Sequence, residues 1–194
     1  MRAYMLFVLM GLLLASCTTF DIEEDNVSVA SDQHTVSRVA VISFNFDRPE
    51  KGKTERGKIN RPINAGEIVA DIFAEHLLGT GLYEIVGKER IESLLQKSDL
   101  RQSDLPTLSD WRRIRDLLGV DGIVLGVVSE YGDWRSRLNW GGVSVFTARL
   151  VDISSGSVLW SVSANNNLAL MNAASATHTG AENAMQVLQT KIIP

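Results

Sequence analysis

Apolar residues recur along this chain in distinct rhythms, and each rhythm predicts a different kind of element. Short apolar stretches rich in β-branched residues, bounded by polar sequence, predict strands: Arg38 to Phe46, Leu82 to Val86, Val120 to Tyr131, Trp140 to Asp152 and Ser157 to Ala164. In the third of these Ile123, Leu125 and Val127 alternate with Val124, Gly126 and Val128, all of them apolar or small, which predicts a strand covered on both faces. Spacing of three and four residues predicts helices. Ile68, Val69, Ile72, Phe73 and Leu77 form one stripe, opened by Asn64 with Glu67 placed for a capping box and stopped by Gly79 and Gly81. Ile91, Leu94 and Leu95 mark a second helix over Lys88 to Lys97. Trp111, Ile114, Leu117 and Leu118 mark a third, with Ser109 and Asp110 at its start and Gly119 at its end. Ala181, Ala184, Met185, Leu188 and Ile192 mark a last helix from Ala173 to Ile193. The turn Asp152 to Ser157 completes a meander of the last three strands.

Between these elements lie polar stretches of opposite sign. From Thr18 to Ser37 the acids Asp21, Glu23, Glu24, Asp25 and Asp32 occur with no Lys or Arg, too little apolar surface to offset the entropy of ordering. Residues 17–37 are therefore expected to be a flexible acidic tether and residues 38–194 a single folded domain. Asp47 to Ile63 is expected to be a solvated basic loop, carrying Arg48, Lys51, Lys53, Arg56, Lys58 and Arg61. Within it Gly52-Lys53-Thr54 mimics the end of a phosphate-binding loop, but Asp47 stands where that loop needs its first Gly, and Pro62 spoils the helix that should follow. No nucleotide is expected.

Composition narrows the function. A net charge of −4, from 19 basic against 23 acidic residues, gives no nucleic-acid footprint. Hydrophobic residues make up 45%, enough for a core, which excludes wholesale disorder. No Ser-His-Asp set or carboxylate pair stands out, so no catalytic residue is expected, nor any cofactor. His34, His76 and His178 are too far apart to suggest a metal pattern, and His76 is expected to be an ordinary residue at the edge of its stripe. Arg112, Arg113 and Arg115 are expected to form a solvated helix face.

The start of the chain is of another kind. After Arg2, the apolar run Met5 to Leu14 is about half the ~20 residues that a spanning helix needs, and it ends in small residues. Residues 1–16 thus read as a signal peptide. Leu14-Ala15-Ser16-Cys17 resembles the lipobox of bacterial lipoproteins, and Cys17 is the single cysteine of the chain. The resemblance implies that Cys17 takes a diacylglyceryl group and becomes the new N-terminus. Several acyl chains hold a protein to a membrane stably where one does so marginally. Because Thr18, not Asp, follows the cysteine, the resemblance favours the periplasmic face of the outer membrane.

Further stretches resemble the CsgG family of bacterial lipoproteins. They are Val39-Ala40-Val41-Ile42, Gly66 with its helix, Tyr83 to Ile91, Leu118 to Gly126 and Ala148 to Ser161, the last two being the most specific. The resemblance spans about Arg38 to Ile192 and implies one α/β domain of the TolB-N-like kind, with a mixed sheet, a C-terminal antiparallel three-strand meander, and helices packed on it. It implies no enzymatic activity. It implies instead work through protein contacts with other envelope proteins, with a homo-oligomeric ring as one form, in curli-type secretion or a flagellar component. The alternative it leaves open is activation of a peptidoglycan synthase in the manner of LpoB. Channel-forming members build a shared barrel from two long hairpins, whereas Gly132 to Asn139 and Asn165 to Asn172 are too short for strands of about 9–11 membrane residues each. In that first short tip, Trp134, Arg135, Arg137, Leu138 and Trp140 are the candidate partner-binding residues, since Trp and Arg are typical interface anchors.

Overall fold

Mixed pairing arranges the strands in the order β1-β8-β7-β6-β2-β5, an eight-stranded sheet that also includes β3 and β4. The elements are β1 (Val27–Val29), β2 (Arg38–Val41), β3 (Asn45–Phe46), β4 (Lys58–Asn60), α1 (Ala65–Gly79), β5 (Glu84–Val86), α2 (Lys88–Lys97), α3 (Trp111–Leu118), β6 (Gly122–Arg135), β7 (Trp140–Asp152), β8 (Val158–Ala169) and α4 (Ala173–Ile192). The structure, a computed structural model, describes residues 27–29, 36–46, 58–102, 105 and 111–192. The signal peptide, Cys17, most of the acidic stretch, Gly52-Lys53-Thr54 and the Ser109-Asp110 cap lie outside the described residues.

β2 is parallel to both β5 and β6, while β6, β7, β8 and β1 are antiparallel in succession. The connection from β2 to β5 carries α1, and the return past β2 to β6 carries α2 and α3. Right-handed connections running in opposite directions lie on opposite faces of a sheet. Two separate cores follow. One holds Val39, Val69, Phe73, Leu77, Val124, Phe146, Leu150, Trp160 and Leu188 beneath α1 and α4. The other holds Ala40, Ile42, Ile91, Leu95, Ile114, Leu118, Ile123 and Leu125 with α2 and α3. In the first, Phe73 is the hub, its ring centroid 5.7 Å from Phe44, 6.0 Å from Phe146 and 6.2 Å from Trp160.

Several expectations are corrected. The stretch Arg38 to Phe46 is two strands, because Phe44 turns into the first core and its N–H donates to the Gly66 carbonyl at 3.3 Å, which breaks the strand. A side chain on Gly66 would run into the Phe44 carbonyl, so the α1 start requires glycine there. Asn64 makes no side-chain cap; its carbonyl accepts from the Ile68 N–H instead, so the expected capping box does not form. Val27–Val29 lies within the stretch expected to be tether, yet pairs with β8 through Trp160 to Val162, an edge that β-branched residues suit. Lys58–Asn60 lies within the expected basic loop, yet pairs with Asp133 to Arg135 of β6. Next to it Arg61 is only 10% exposed at its side chain and pairs with Glu130 at 3.4 Å, so it is not a solvated loop residue.

The last strands also extend further than the hydrophobic pattern indicates. β8 continues through Asn165, Asn166 and Asn167 because Asn166 faces inward at Gly180 of α4, and alternate residues face solvent. Double coverage of β6 holds only for its first half: Ile123 and Leu125 are buried by α2 and α3, but Val127, on the same face, is 44% exposed.

The turns match the motifs. Buried Asp152 accepts from the Ser154 N–H at 2.8 Å and from the hydroxyls of Ser154 and Ser155, and Gly156 supplies the left-handed backbone with φ +72°. Asp121 accepts from the Ser37 hydroxyl at 2.9 Å and the Arg38 N–H at 3.3 Å, tying β2 to the start of β6. The acids of both motifs are thus occupied in building turns and joints.

Candidate functional site

At the far end of the meander, β6 and β7 are joined by a short turn over residues 136–139 that its own polar groups close. The Ser136 N–H donates to the Asn139 carbonyl at 2.8 Å, and the Asn139 side-chain oxygen accepts from the Trp140 N–H at 2.9 Å. With Ser136 and Asn139 turned to this task, Arg137 and Leu138 are left at the apex. Leu138 is 99% exposed.

The two tryptophans of the tip part company. Strand alternation sends neighbouring residues to opposite faces. Trp134 lies across the next strand over Gly141, where any side chain would meet its ring, and its indole N–H donates to the Asn167 side-chain oxygen of β8 at 3.0 Å. At 8% exposure it is packing, so in the free chain it is not a contact residue. Trp140, cross-strand from Arg135, remains 44% exposed. Arg135, Arg137 and Leu138 are exposed with it.

Sequence reasoning missed Leu170 and Met171, 67% and 49% exposed. The Leu170 N–H donates to the Trp140 carbonyl at 2.9 Å, which brings the β8–α4 connection against the β7 start. Leu170 has φ +61°, a left-handed conformation unusual for a bulky residue and one that surrounding structure must impose. The apolar run Leu168 to Met171, just ahead of a helix, was the available signal. Asp133 fixes the same corner, accepting from the Ala173 N–H at 2.7 Å, while the Asn172 side chain caps α4 through the Ser175 N–H at 2.8 Å. Beneath it, Thr177 donates to buried Ser144 at 2.8 Å. Burial, and then the charge of Asp133, raise the Tyr131 hydroxyl above its usual range. The result is a group of exposed apolar residues, Leu138, Trp140, Leu170 and Met171, at the same end as two arginines, beside a corner that hydrogen bonds tie together. Such a group can bury its surface against a partner; nothing in it is a nucleophile or an acid–base pair.

Elsewhere, Arg112, Arg113 and Arg115 are exposed along α3, as expected of a solvated face. His76 and His178 are not isolated: the fold brings them to 3.1 Å, although His34 lies outside the described residues. No described helix is long and apolar enough to cross a membrane.

Residues 25–187 match the family model of the curli production assembly/transport component CsgG. No curated protein matches the chain by sequence. Among solved structures the chain is similar to the PelC dodecamer from Paraburkholderia phytofirmans, at 19% identity and a TM-score of 0.54 over 84% of this chain and 94% of that one. It is also similar to lipoprotein GNA1162 from Neisseria meningitidis, at 16% identity and a TM-score of 0.53 over 81% and 95%. The LpoB C-terminal domain from Escherichia coli, at 16% identity over 70% and 86%, reaches a TM-score of only 0.44, too slight to carry weight. At such identities these likenesses concern the fold alone.

Proposed function

This chain belongs to the CsgG family, and from that premise we propose that it is a non-catalytic outer-membrane lipoprotein, facing the periplasm, that serves assembly or export of a surface structure through protein contacts. The family match over residues 25–187 carries the reading. In it residues 1–16 are a cleaved leader, Cys17 bears the acyl chains, and the acidic stretch ahead of β1 is the tether. PelC is described as a dodecamer and GNA1162 as a lipoprotein, which supports copies of this chain gathering into a ring on the membrane. The exposed cap of Leu138, Trp140, Leu170 and Met171 supports contact through the tip. The strand ends there are tied to α4 through Asp133 and Ser144, which speaks against their release as membrane hairpins.

Labelled palmitate supplied to a host with an outer membrane tests the anchor. The full chain is expected to take up label and sediment with the outer membrane, and Cys17→Ala to lose both. An unlabelled, uncut wild-type chain overturns the location. A photoreactive residue in place of Leu138 tests the contact role: crosslinks to an envelope protein or a second copy support it, and none at all removes it.

A further inference from the structure

Far apart in sequence, His76 of α1 and His178 of α4 meet on the helical face of the molecule, with Nε2 of His76 3.1 Å from Nδ1 of His178 and ring centroids 5.3 Å apart. Their backbones are held firmly. His76 is flanked by buried Phe73 and Leu77, and His178 by buried Thr177 and Ala181, so the spacing is set by two helices packed on one core. Two imidazole nitrogens that share one ion at about 2.0–2.1 Å stand roughly 2.8–3.4 Å apart for angles between about 90° and 109°. The observed separation lies inside that window.

The geometry points to a two-histidine site for one borderline divalent transition metal of the Zn²⁺ class, bridging α1 and α4. Imidazole suits zinc, copper or nickel and not the hard cations calcium and magnesium. Among the described residues no third His, Cys, Asp or Glu joins the pair, so water completes the coordination. In the metal-free pair one N–H lies between the two facing nitrogens. A bound ion takes the lone pair of each facing nitrogen, so the N–H of each ring then lies on its other nitrogen. The ion then clamps the two helices that cover the aromatic core.

The test is thermal melting of the full chain with added ZnCl₂, compared with chelator, together with calorimetric stoichiometry. An ion that binds only the folded state at ten times its Kd is expected to raise the melting temperature by about 3–6 °C. One ion per chain is expected. His178→Ala and, separately, His76→Gln should keep the chelator-treated melting temperature within about 2 °C, since His178 is exposed and Gln can fill the half-buried place of His76, and abolish the rise. An unmoved wild type, a rise that survives in both variants, or half an ion per chain overturns the site. None of these results bears on the lipid anchor or the tip.

Discussion

The two ends of the sheet are built from the same strands on different terms. At the base, β6 lies between β2 and β7 with helices on both faces, and Ile123, Val124 and Leu125 are all buried. Farther along the meander α4 covers one face, and on the other, among the described residues, Thr147 and Ser163 share a hydrogen bond at 3.0 Å in the open. The base spends its apolar residues on the core, whereas the tip leaves Leu138, Trp140, Leu170 and Met171 facing outward on a braced corner. A large apolar residue left in solvent beside such a corner is available for a partner.

The sharpest way to break this comparison lies within one strand face. Ile123→Ala removes a fully buried side chain from the second core and should cost about 2–5 kcal/mol. Val127→Ala, on the same face but 44% exposed, should cost less than about 0.5 kcal/mol. Urea midpoints at unchanged slope measure both. Equal losses would mean that the outer half of β6 is covered as well.

A smaller effect is expected within α1. Gly66→Ala forces the new methyl into the Phe44 carbonyl and should cost about 1–3 kcal/mol, whereas Gly79→Ala meets nothing and should stabilise by up to about 1 kcal/mol. Thermal melts of the pair give the signs directly.

This contrast also explains what was legible in the sequence. Where burial is strict, the pattern spoke plainly: Ile91 and Leu95 of α2, and Ala181, Ala184, Met185 and Leu188 of α4, are buried as their spacing predicts. Where a local contact overrides periodicity, it did not. Phe44 breaks its strand to reach Gly66, and Asn166 keeps β8 going because a glycine of α4 leaves room for it. The tip was legible as a set of residue types and not as a surface. Trp134 and Trp140 look alike in sequence, and Gly141 and Asn167 on neighbouring strands hold the first ring against the sheet. The histidine pair depends on how α1 and α4 cross, which no local pattern encodes.

At the tip itself, Trp134→Phe keeps the ring over Gly141 but removes the donor to the Asn167 oxygen, and should lower stability by about 1 kcal/mol. Capture of a partner should be unchanged, because that ring is already spent on the fold. A loss of capture at full stability would instead return Trp134 to the contact surface.

The smallest effect on stability should come with the largest on contact. Trp140→Ala and Leu138→Ser remove apolar surface that the free chain leaves in water, so each should move the melting temperature by no more than about 2 °C. Bound to a partner, the same side chains would be desolvated, and a central aromatic truncated at an interface typically costs 2 kcal/mol or more, roughly a thirtyfold loss of affinity. Crosslinking yield in the envelope, or ring formation followed by sedimentation, reads that loss. Arg135→Ala and Arg137→Ala belong in the same series: as rim charges they should slow association and weaken its salt dependence more than they change its final strength. If Trp140→Ala melts several degrees lower, the ring is braced against the Leu170 corner as part of the fold, and the outward-facing cap shrinks to Leu138 and the β8–α4 connection.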